Sequence, residues 1–151
     1  MSDPIAESFR GIAWHYANKD PDALREIEQR IAAVGHKGLL LTYSDLVRGV
    51  RFNLPNLRDG ERTIDVADWQ DLYRAIVGDF LGYASMRSHE QGGFFSSALV
   101  VSKMDGSPGE GFFSLLKQLG LVSSSKTDKA MYLWADHVAK AHAWYSKARQ
   151  S

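Results

Sequence analysis

The chain has 151 residues, 44% of them hydrophobic and 11% aromatic, which is enough to bury a core in a single domain over residues 1–151. Eighteen basic and eighteen acidic residues give zero formal net charge, so no global field attracts nucleic acid or an anionic membrane. The chain contains no cysteine, which excludes disulfides, thiolate metal sites and a cysteine nucleophile.

Residues 1–36 are predicted to form two helices. Apolar residues from Ile5 to Tyr16 recur at helical spacing and indicate the first helix. Asp20 and Pro21 are typical of an N-cap and a first-turn proline, so the second helix is expected to begin there and to end near Gly35.

A short helix is predicted to follow a brief connection. Thr42, with Asp45 three residues later, resembles a capping box, which indicates a helix that begins after Thr42 and runs through Val47. Residues 53–60 contain proline, two asparagines and glycine and are predicted to form a loop.

The strongest periodic signal predicts a long helix from Trp69 to Tyr83, with Asp65 and Asp68 repeating the capping pattern before it. Within this helix Gly78 and Gly82 each cost about 1 kcal/mol relative to alanine. Because they are four residues apart, they fall on nearly one face. We therefore expect a neighbouring backbone to approach the helix closely there.

A strand and a turn are predicted in the second half of the chain. Ala98 to Ser102 has the composition of a short strand, and residues 104–107 that of a turn in which Gly106 takes a positive φ. Ser107 and Pro108 are expected to cap and to begin the next helix. The glycine-rich turn lacks both the P-loop and the dinucleotide-binding pattern, so a structural turn is favoured over a phosphate site.

Two further helices complete the prediction. The first is expected to bury four apolar side chains, namely Phe112, Phe113, Leu116 and Leu119. The second is expected to begin at about Asp128 and to bury a stripe composed of Met131, Trp134, Val138, Ala141 and Tyr145.

Residues that could carry catalysis or hold a metal are scarce in the sequence. His137 and His142 are five residues apart, about 140° around a helix, so they cannot share one metal ion from that helix. The G-x-S-x-G pattern of a serine nucleophile is absent. We therefore expect a non-enzymatic protein with no cofactor and no metal. No segment approaches the roughly 18 apolar residues of a membrane span, and no signal peptide is evident, so we expect a cytoplasmic protein without a membrane partner.

Three short motifs between residues 39 and 113 resemble a known family. They are Thr42-Tyr43-Ser44-Asp45-Leu46, Arg74-Ala75-Ile76-Val77-Gly78, and Val100-Val101 followed by Asp105-Gly106-Ser107. In this order they resemble the winged-helix module of the alkylguanine-DNA alkyltransferases and alkyltransferase-like proteins. The strand and turn also resemble uncharacterised small bacterial proteins with the pattern ALVV-N/S-K followed by G-x-P-G-E-G-F.

The expected fold class is α+β and mostly helical, with a small β-sheet. The helical periodicity predicts the helices at 1–36 and the C-terminal helix at 127–149, and the resemblance implies a winged-helix-like centre at 39–121. The resemblance does not imply alkyl transfer, because Ser97-Ala98-Leu99-Val100 replaces the family's Pro-Cys-His-Arg. In that family the arginine that Arg74 matches lies at the flipped-out base.

Charge around Arg74 opposes the DNA-binding function that the resemblance implies. Residues 42–103 contain seven basic and eight acidic residues, a net charge of −1. DNA affinity depends largely on neutralising phosphates, so an acidic recognition helix weakens it.

Two hypotheses about function follow. The first is a bacterial accessory, immunity or antitoxin-like module that binds a protein partner or a second copy of itself. The second is a winged-helix protein that binds DNA through Thr42, Tyr43, Arg74 and Lys103. We expect this DNA binding to be weak. Convergence of five basic residues on one face would favour the second hypothesis; these are Arg48, Arg51, Arg74, Arg87 and Lys103.

Overall fold

The computed structural model describes residues 3–54, 63–64, 71–102, 106, 108, 110–123 and 128–150, and this part of the chain is mostly helical. Its helices are α1 (Pro4–Arg10), α2 (Pro21–His36), α3 (Tyr43–Val47), α4 (Asp71–Gly92), α5 (Glu110–Gln118) and α6 (Asp128–Gln150). Two short strands, β1 (Leu41–Thr42) and β2 (Val100–Val101), pair in parallel. The predicted α+β, mostly helical class is confirmed, whereas the winged-helix arrangement of residues 39–121 stays a prediction.

The first helix is shorter than its apolar spacing predicts. It ends at Arg10, and Gly11 follows it as the C-cap. Further along the chain, the backbone N–H groups of His15, Tyr16 and Ala17 donate to the carboxylate of Asp79 on α4 and not to a helical ladder. The prediction of a helix through Tyr16 is therefore wrong.

The predicted start of α2 is confirmed. The buried carboxylate of Asp20 accepts a hydrogen bond from the N–H of Ala23 at 3.3 Å, and Pro21 is the first helical residue. The second oxygen of Asp20 accepts from the N–H of Asn53 at 2.6 Å. One side chain thus both caps α2 and fixes the chain that follows α3.

The predicted short helix α3 is confirmed, and both of its ends are capped by side chains. At the first end Thr42 Oγ1 accepts from the N–H of Asp45 at 3.2 Å. At the other end Arg30 Nη1 donates to the carbonyls of Asp45, Leu46 and Arg48. Because the last carbonyls of a helix lack intrahelical partners, this cation suits the C-terminal end.

The long helix α4 is confirmed and extends nine residues beyond Tyr83, to Gly92. Buried Ala84, Ser85 and Ser88 continue its core face over this extension. The helix ends where Gly93, with a φ of 74°, donates its N–H to the carbonyl of His89. The capping role predicted for Asp65 and Asp68 falls outside the described residues.

The segment from Phe94 to Val101 is buried at every position. Ser96–Leu99 forms a 3₁₀ turn and only Val100–Val101 forms a strand, so the predicted strand from Ala98 to Ser102 is partly wrong. Just before the predicted strand, the N–H groups of Ser96 and Ser97 donate to the hydroxyls of Ser88 and Ser85 on α4 instead of to a neighbouring strand.

The glycine-rich turn folds the chain between β2 and α5. Gly106 has a φ of 67°, as predicted. Pro108 forms an isolated antiparallel bridge with Val101, and α5 begins at Glu110, so the prediction that Pro108 begins the helix is wrong. The capping role predicted for Ser107 lies outside the described residues.

Helix α5 buries most of the predicted side chains. Phe112, Leu116 and Leu119 are buried, as expected, whereas Phe113 is only half-buried. Phe113 lies at the border of the apolar cluster that Phe112 occupies.

Helix α6 begins as predicted, and most of its predicted stripe packs against the core. Met131 is 45% exposed, so its predicted burial is wrong. Ala141 is buried as predicted, and Trp134, Val138 and Tyr145 are half-buried. Ala130 and His137, which share a face with Ala141 at spacings of seven and four residues, are buried as well. Within the residues that the structure describes, no helix is both long and apolar enough to cross a membrane.

Candidate binding cleft

Two of the predicted site residues, Thr42 and Tyr43, lie where β1 meets α3. Thr42 pairs with Val101 in the sheet, and its hydroxyl caps α3. Tyr43 is half-buried, and a Cβ built on Gly111 would lie 3.9 Å from its hydroxyl. Burial raises the pKa of Tyr43 to about 12, so its hydroxyl keeps its proton at neutral pH.

Arg74 lies one turn into α4, with its side chain 58% exposed. Its Nη1 is 3.9 Å from Oδ1 of Asp71, the residue one helical turn earlier, which is a weak surface pairing. Lys103, the fourth predicted site residue, lies outside the described residues. The structure therefore places Thr42 and Tyr43 side by side and Arg74 on a different helix.

Other arginines expected to favour nucleic acid are also paired with acids. Arg48 Nη1 lies 3.3 Å from Asp45, and Arg87 Nε lies 3.1 Å from Glu28. These pairings lower the net positive charge that the described arginines present to a phosphate backbone.

A cleft of about 330 Å³ opens between α4, α5 and the segment that follows α1; we call it the α4–α5 cleft. Its apolar walls include Ile12, Trp14 and Leu115. Polar side chains at its exposed rim include Ser114 and Gln118 of α5. The lining also includes Ala75, Gly78 and Gly111, which belong to the motifs singled out in the sequence.

The two glycines of α4 differ in what they face. A Cβ on Gly82 would lie 2.9 Å from Cζ3 of Trp14, whose ring packs edge-on against Tyr83 with centroids 5.5 Å apart. A Cβ on Gly78 would meet no atom within 4 Å. The expected approach of a neighbouring backbone is therefore wrong: an indole ring lies against Gly82, and Gly78 faces the open cleft.

Asp79 lies in the cleft wall and is fully engaged by the backbone. Its Oδ1 accepts from the N–H of His15 at 3.0 Å, and its Oδ2 accepts from Tyr16 and Ala17 at 3.0 and 2.8 Å. Three donors on one carboxylate fix the segment after α1 against α4 and so form one side of the cleft. The same hydrogen bonds commit both oxygens of Asp79 to the backbone of the segment after α1.

The floor of the cleft is also polar, but its polar side chain is hydrogen-bonded to another residue of the protein. Ser97 is buried there, and its Oγ accepts a hydrogen bond from Ser85 Oγ at 2.7 Å. Its N–H donates to the same Ser85 hydroxyl at 3.1 Å. No histidine or second carboxylate within the described cleft lining hydrogen-bonds Ser97, so its hydroxyl lacks the base that an activated serine requires.

A second pocket, of about 260 Å³, lies between α2, α4 and α6. Glu28 and Arg87 line it and pair with each other. Burial raises the pKa of Glu28, while the nearby Arg87 acts to lower it. Tyr145 also lines this pocket; burial and then the charge of Glu28 raise its pKa to about 12, although a hydrogen bond with Ser96 opposes the rise. Arg25 also lines the pocket and lies 3.6 Å from Asp22, an exposed surface pairing with a residue outside the lining.

The described residues contain no group of three or more histidine, aspartate or glutamate side chains placed to hold a metal ion. His137, the most buried histidine, is committed to the core through its contact with Phe95.

Sequence reasoning missed most of the cleft. Trp14 was expected only as part of a helix, and Ser114 and Gln118 carried no signal of their own. Gly78 did carry one, because a glycine in the middle of a strongly periodic helix costs stability and requires a reason. Comparisons with protein-family models, curated proteins and solved structures find no match to the chain.

Proposed function

We propose that the chain is a non-enzymatic binding protein and that a protein partner docks in the α4–α5 cleft. The observation that carries this proposal is Gly78. It lies inside a 22-residue helix, where glycine costs about 1 kcal/mol relative to alanine, yet a Cβ there would meet nothing within 4 Å. The packing of the described residues therefore gives no reason for glycine, whereas an occupant of the cleft would.

The chemistry of the cleft supports binding rather than catalysis. Both oxygens of Asp79 already accept backbone hydrogen bonds, and the Ser97 hydroxyl is bonded to Ser85. Raised to about 12, the pKa of Tyr43 keeps that phenol protonated near the cleft. The polar groups are thus arranged to hold the fold, and none of these three is poised to transfer a proton.

The lining also indicates the kind of partner. Apolar walls formed by Ile12, Trp14 and Leu115 suit an aliphatic or aromatic side chain, and Ser114 and Gln118 at the rim suit the polar backbone that carries it. A protein segment supplies both features. The zero net charge of the chain also removes the long-range attraction that a nucleic acid would exploit.

DNA binding through a winged-helix centre is the alternative that the sequence motifs favour. The pairing of Arg48, Arg74 and Arg87 with acids supports the protein-binding proposal over this alternative. The exposed position of Arg74 beside the cleft-lining Ala75 is the feature that keeps the alternative worth testing.

Affinity capture with the immobilised chain tests the proposal. Three baits are compared in lysate of the source organism: the wild type, Gly78→Leu, which fills the cleft, and Ala33→Leu, a control at an exposed position of α2. Quantitative mass spectrometry should show a protein retained by the wild type and Ala33→Leu but reduced about tenfold or more by Gly78→Leu. Identical retained proteins for all three folded baits would refute the cleft as the binding site.

A further inference from the structure

Helix α6 carries a second surface that the cleft does not explain. Its exposed positions from Met131 to Ser146 are uncharged along one face, which we call the uncharged α6 face. The face comprises Met131, Tyr132, Ala135, Ala139, Ala143 and Ser146. Tyr132 and Met131 are 72% and 45% exposed, among the most exposed large hydrophobic side chains in the described part of the chain.

The loop before β1 extends this face at the C-terminal end of α6. His142 Nε2 lies 3.0 Å from the carbonyl oxygen of Leu39. Leu39 and Leu40 are themselves 54% and 40% exposed. Large apolar groups therefore lie at both ends of the face, and the small side chains of alanine lie between them.

We infer that the uncharged α6 face binds the same face of a second copy of this chain, with the two α6 helices antiparallel. The residues of the face are spaced symmetrically about Ala139, so the face can pair with a copy of itself, as a two-fold interface requires. An axis beside Ala139 sets Ala135 opposite Ala143 of the second copy and Tyr132 opposite Ser146. Small residues at the centre let the helices approach closely, and the phenol ring of each copy lies over a small residue of the other.

Charge complementarity selects this occupant and this direction. Asp136 and Lys140 form a 2.8 Å ion pair along one flank of the face. Because they lie on either side of the axis, antiparallel pairing brings Asp136 of each copy beside Lys140 of the other. A parallel arrangement would instead place the Asp136–Lys140 flanks of the two copies on opposite sides of the helix pair, without this contact, and would set Tyr132 against Tyr132. The zero net charge of the chain adds no repulsion between copies.

Single cysteines test the geometry directly, because the chain has none of its own. Ala139→Cys lies at the axis and should form a disulfide-linked dimer on mild oxidation at least about ten times faster than Ala33→Cys, an exposed control on α2. Tyr132→Cys should react no faster than the control, since antiparallel pairing separates its two copies by roughly 20 Å. Equal rates at 139 and 33, or a faster rate at 132, would overturn the inference.

Sedimentation of the full chain gives an independent readout. The wild type and Ala33→Arg should dimerise as concentration rises, whereas Ala139→Arg, which places two like charges at the axis, should remain monomeric with unchanged helical circular dichroism. A wild type that is monomeric at every concentration would contradict the inference. That result would leave the cleft untouched, because Gly78 is not on this face.

Discussion

The imidazole ring of His137 lies flat against the phenyl ring of Phe95, with centroids 4.1 Å apart and planes 9° from parallel. In the same pair, His137 Nδ1 accepts a hydrogen bond from the backbone N–H of Phe95 at 3.0 Å. His137 of α6 thus stacks on Phe95 of the buried 94–101 segment and accepts the hydrogen bond of its backbone N–H. The acceptor role requires an Nδ1 without a proton, so the neutral ring is the form that fits.

We expect this pair to make the protein sensitive to mild acid. Burial, followed by the nearby Lys140, lowers the pKa of His137 to about 4, although Asp136 acts in the opposite direction. Because the unfolded chain takes up the proton at about pH 6.5, the stabilisation is complete above that pH and is lost as the pH falls toward 4. The loss should approach roughly 3 kcal/mol at pH 4, measured by urea unfolding.

His137→Asn is the matched variant for this prediction, because its side-chain oxygen can still accept from Phe95 but does not titrate. Its free energy of unfolding should fall less steeply between pH 6.5 and 4 than that of the wild type. An equally steep fall in both proteins would show that other groups cause the acid sensitivity.

Phe112→Ala should lower the free energy of unfolding by about 3–5 kcal/mol, because its side chain is buried and truncation leaves a cavity. Phe113→Ala serves as the comparison on the same helix and should cost less, since Phe113 is half-buried. Urea unfolding of both variants checks the order. Similar costs for the two would be inconsistent with the different burial of these neighbours.

Alanine at Gly78 and at Gly82 should affect stability differently. Gly78→Ala should raise the free energy of unfolding by about 1 kcal/mol, because alanine favours the helix and its Cβ enters open space. Gly82→Ala gains the same propensity but forces the Trp14 ring to move, which costs about 1–3 kcal/mol. Thermal unfolding should therefore give Gly78→Ala a clearly higher melting temperature than Gly82→Ala. Equal melting temperatures of the two variants would argue against the open space at Gly78.

Asp79→Ala should lower the free energy of unfolding by about 2–4 kcal/mol, because three backbone N–H groups lose a charged acceptor. Asp79→Asn keeps one carbonyl oxygen and should cost less. Amide exchange of His15, Tyr16 and Ala17 should accelerate in both variants. Unchanged exchange at these residues would disprove that Asp79 fixes the segment after α1.

Arg74→Ala should change stability by less than about 0.5 kcal/mol, since its pairing with Asp71 is long and exposed. Any DNA binding should be weak and mostly lost between low and physiological salt, with each neutralised phosphate contributing about −0.9 to the slope of log K against log salt. Sub-micromolar affinity at physiological salt that collapses in Arg74→Ala would instead support the DNA-binding alternative.

The sequence predicts the elements whose signals are local. The cap at Asp20, the capping box at Thr42, the periodicity of α4 and the positive φ of Gly106 each depend on residues within a few positions. It does not predict where distant side chains replace backbone partners. The N–H groups of His15, Tyr16 and Ala17 donate to Asp79, more than 60 residues away, and those of Ser96 and Ser97 donate to Ser88 and Ser85 on α4.

The cleft was less predictable for the same reason. It forms from three segments that are remote in sequence. Only Gly78 gave a signal of it, because a glycine inside a helix lowers the stability of the helix and no contact of the described residues compensates for that loss. Trp14 gave no such signal, because only the folded chain brings its ring against Gly82.

The dissociation constant of the isolated partner for wild type and Gly78→Leu tests the central claim most directly. If the α4–α5 cleft is the binding site, Gly78→Leu should bind at least about tenfold more weakly, a loss of about 1.4 kcal/mol, while its melting temperature is no lower than that of the wild type. Equal dissociation constants for the two folded proteins would contradict the claim.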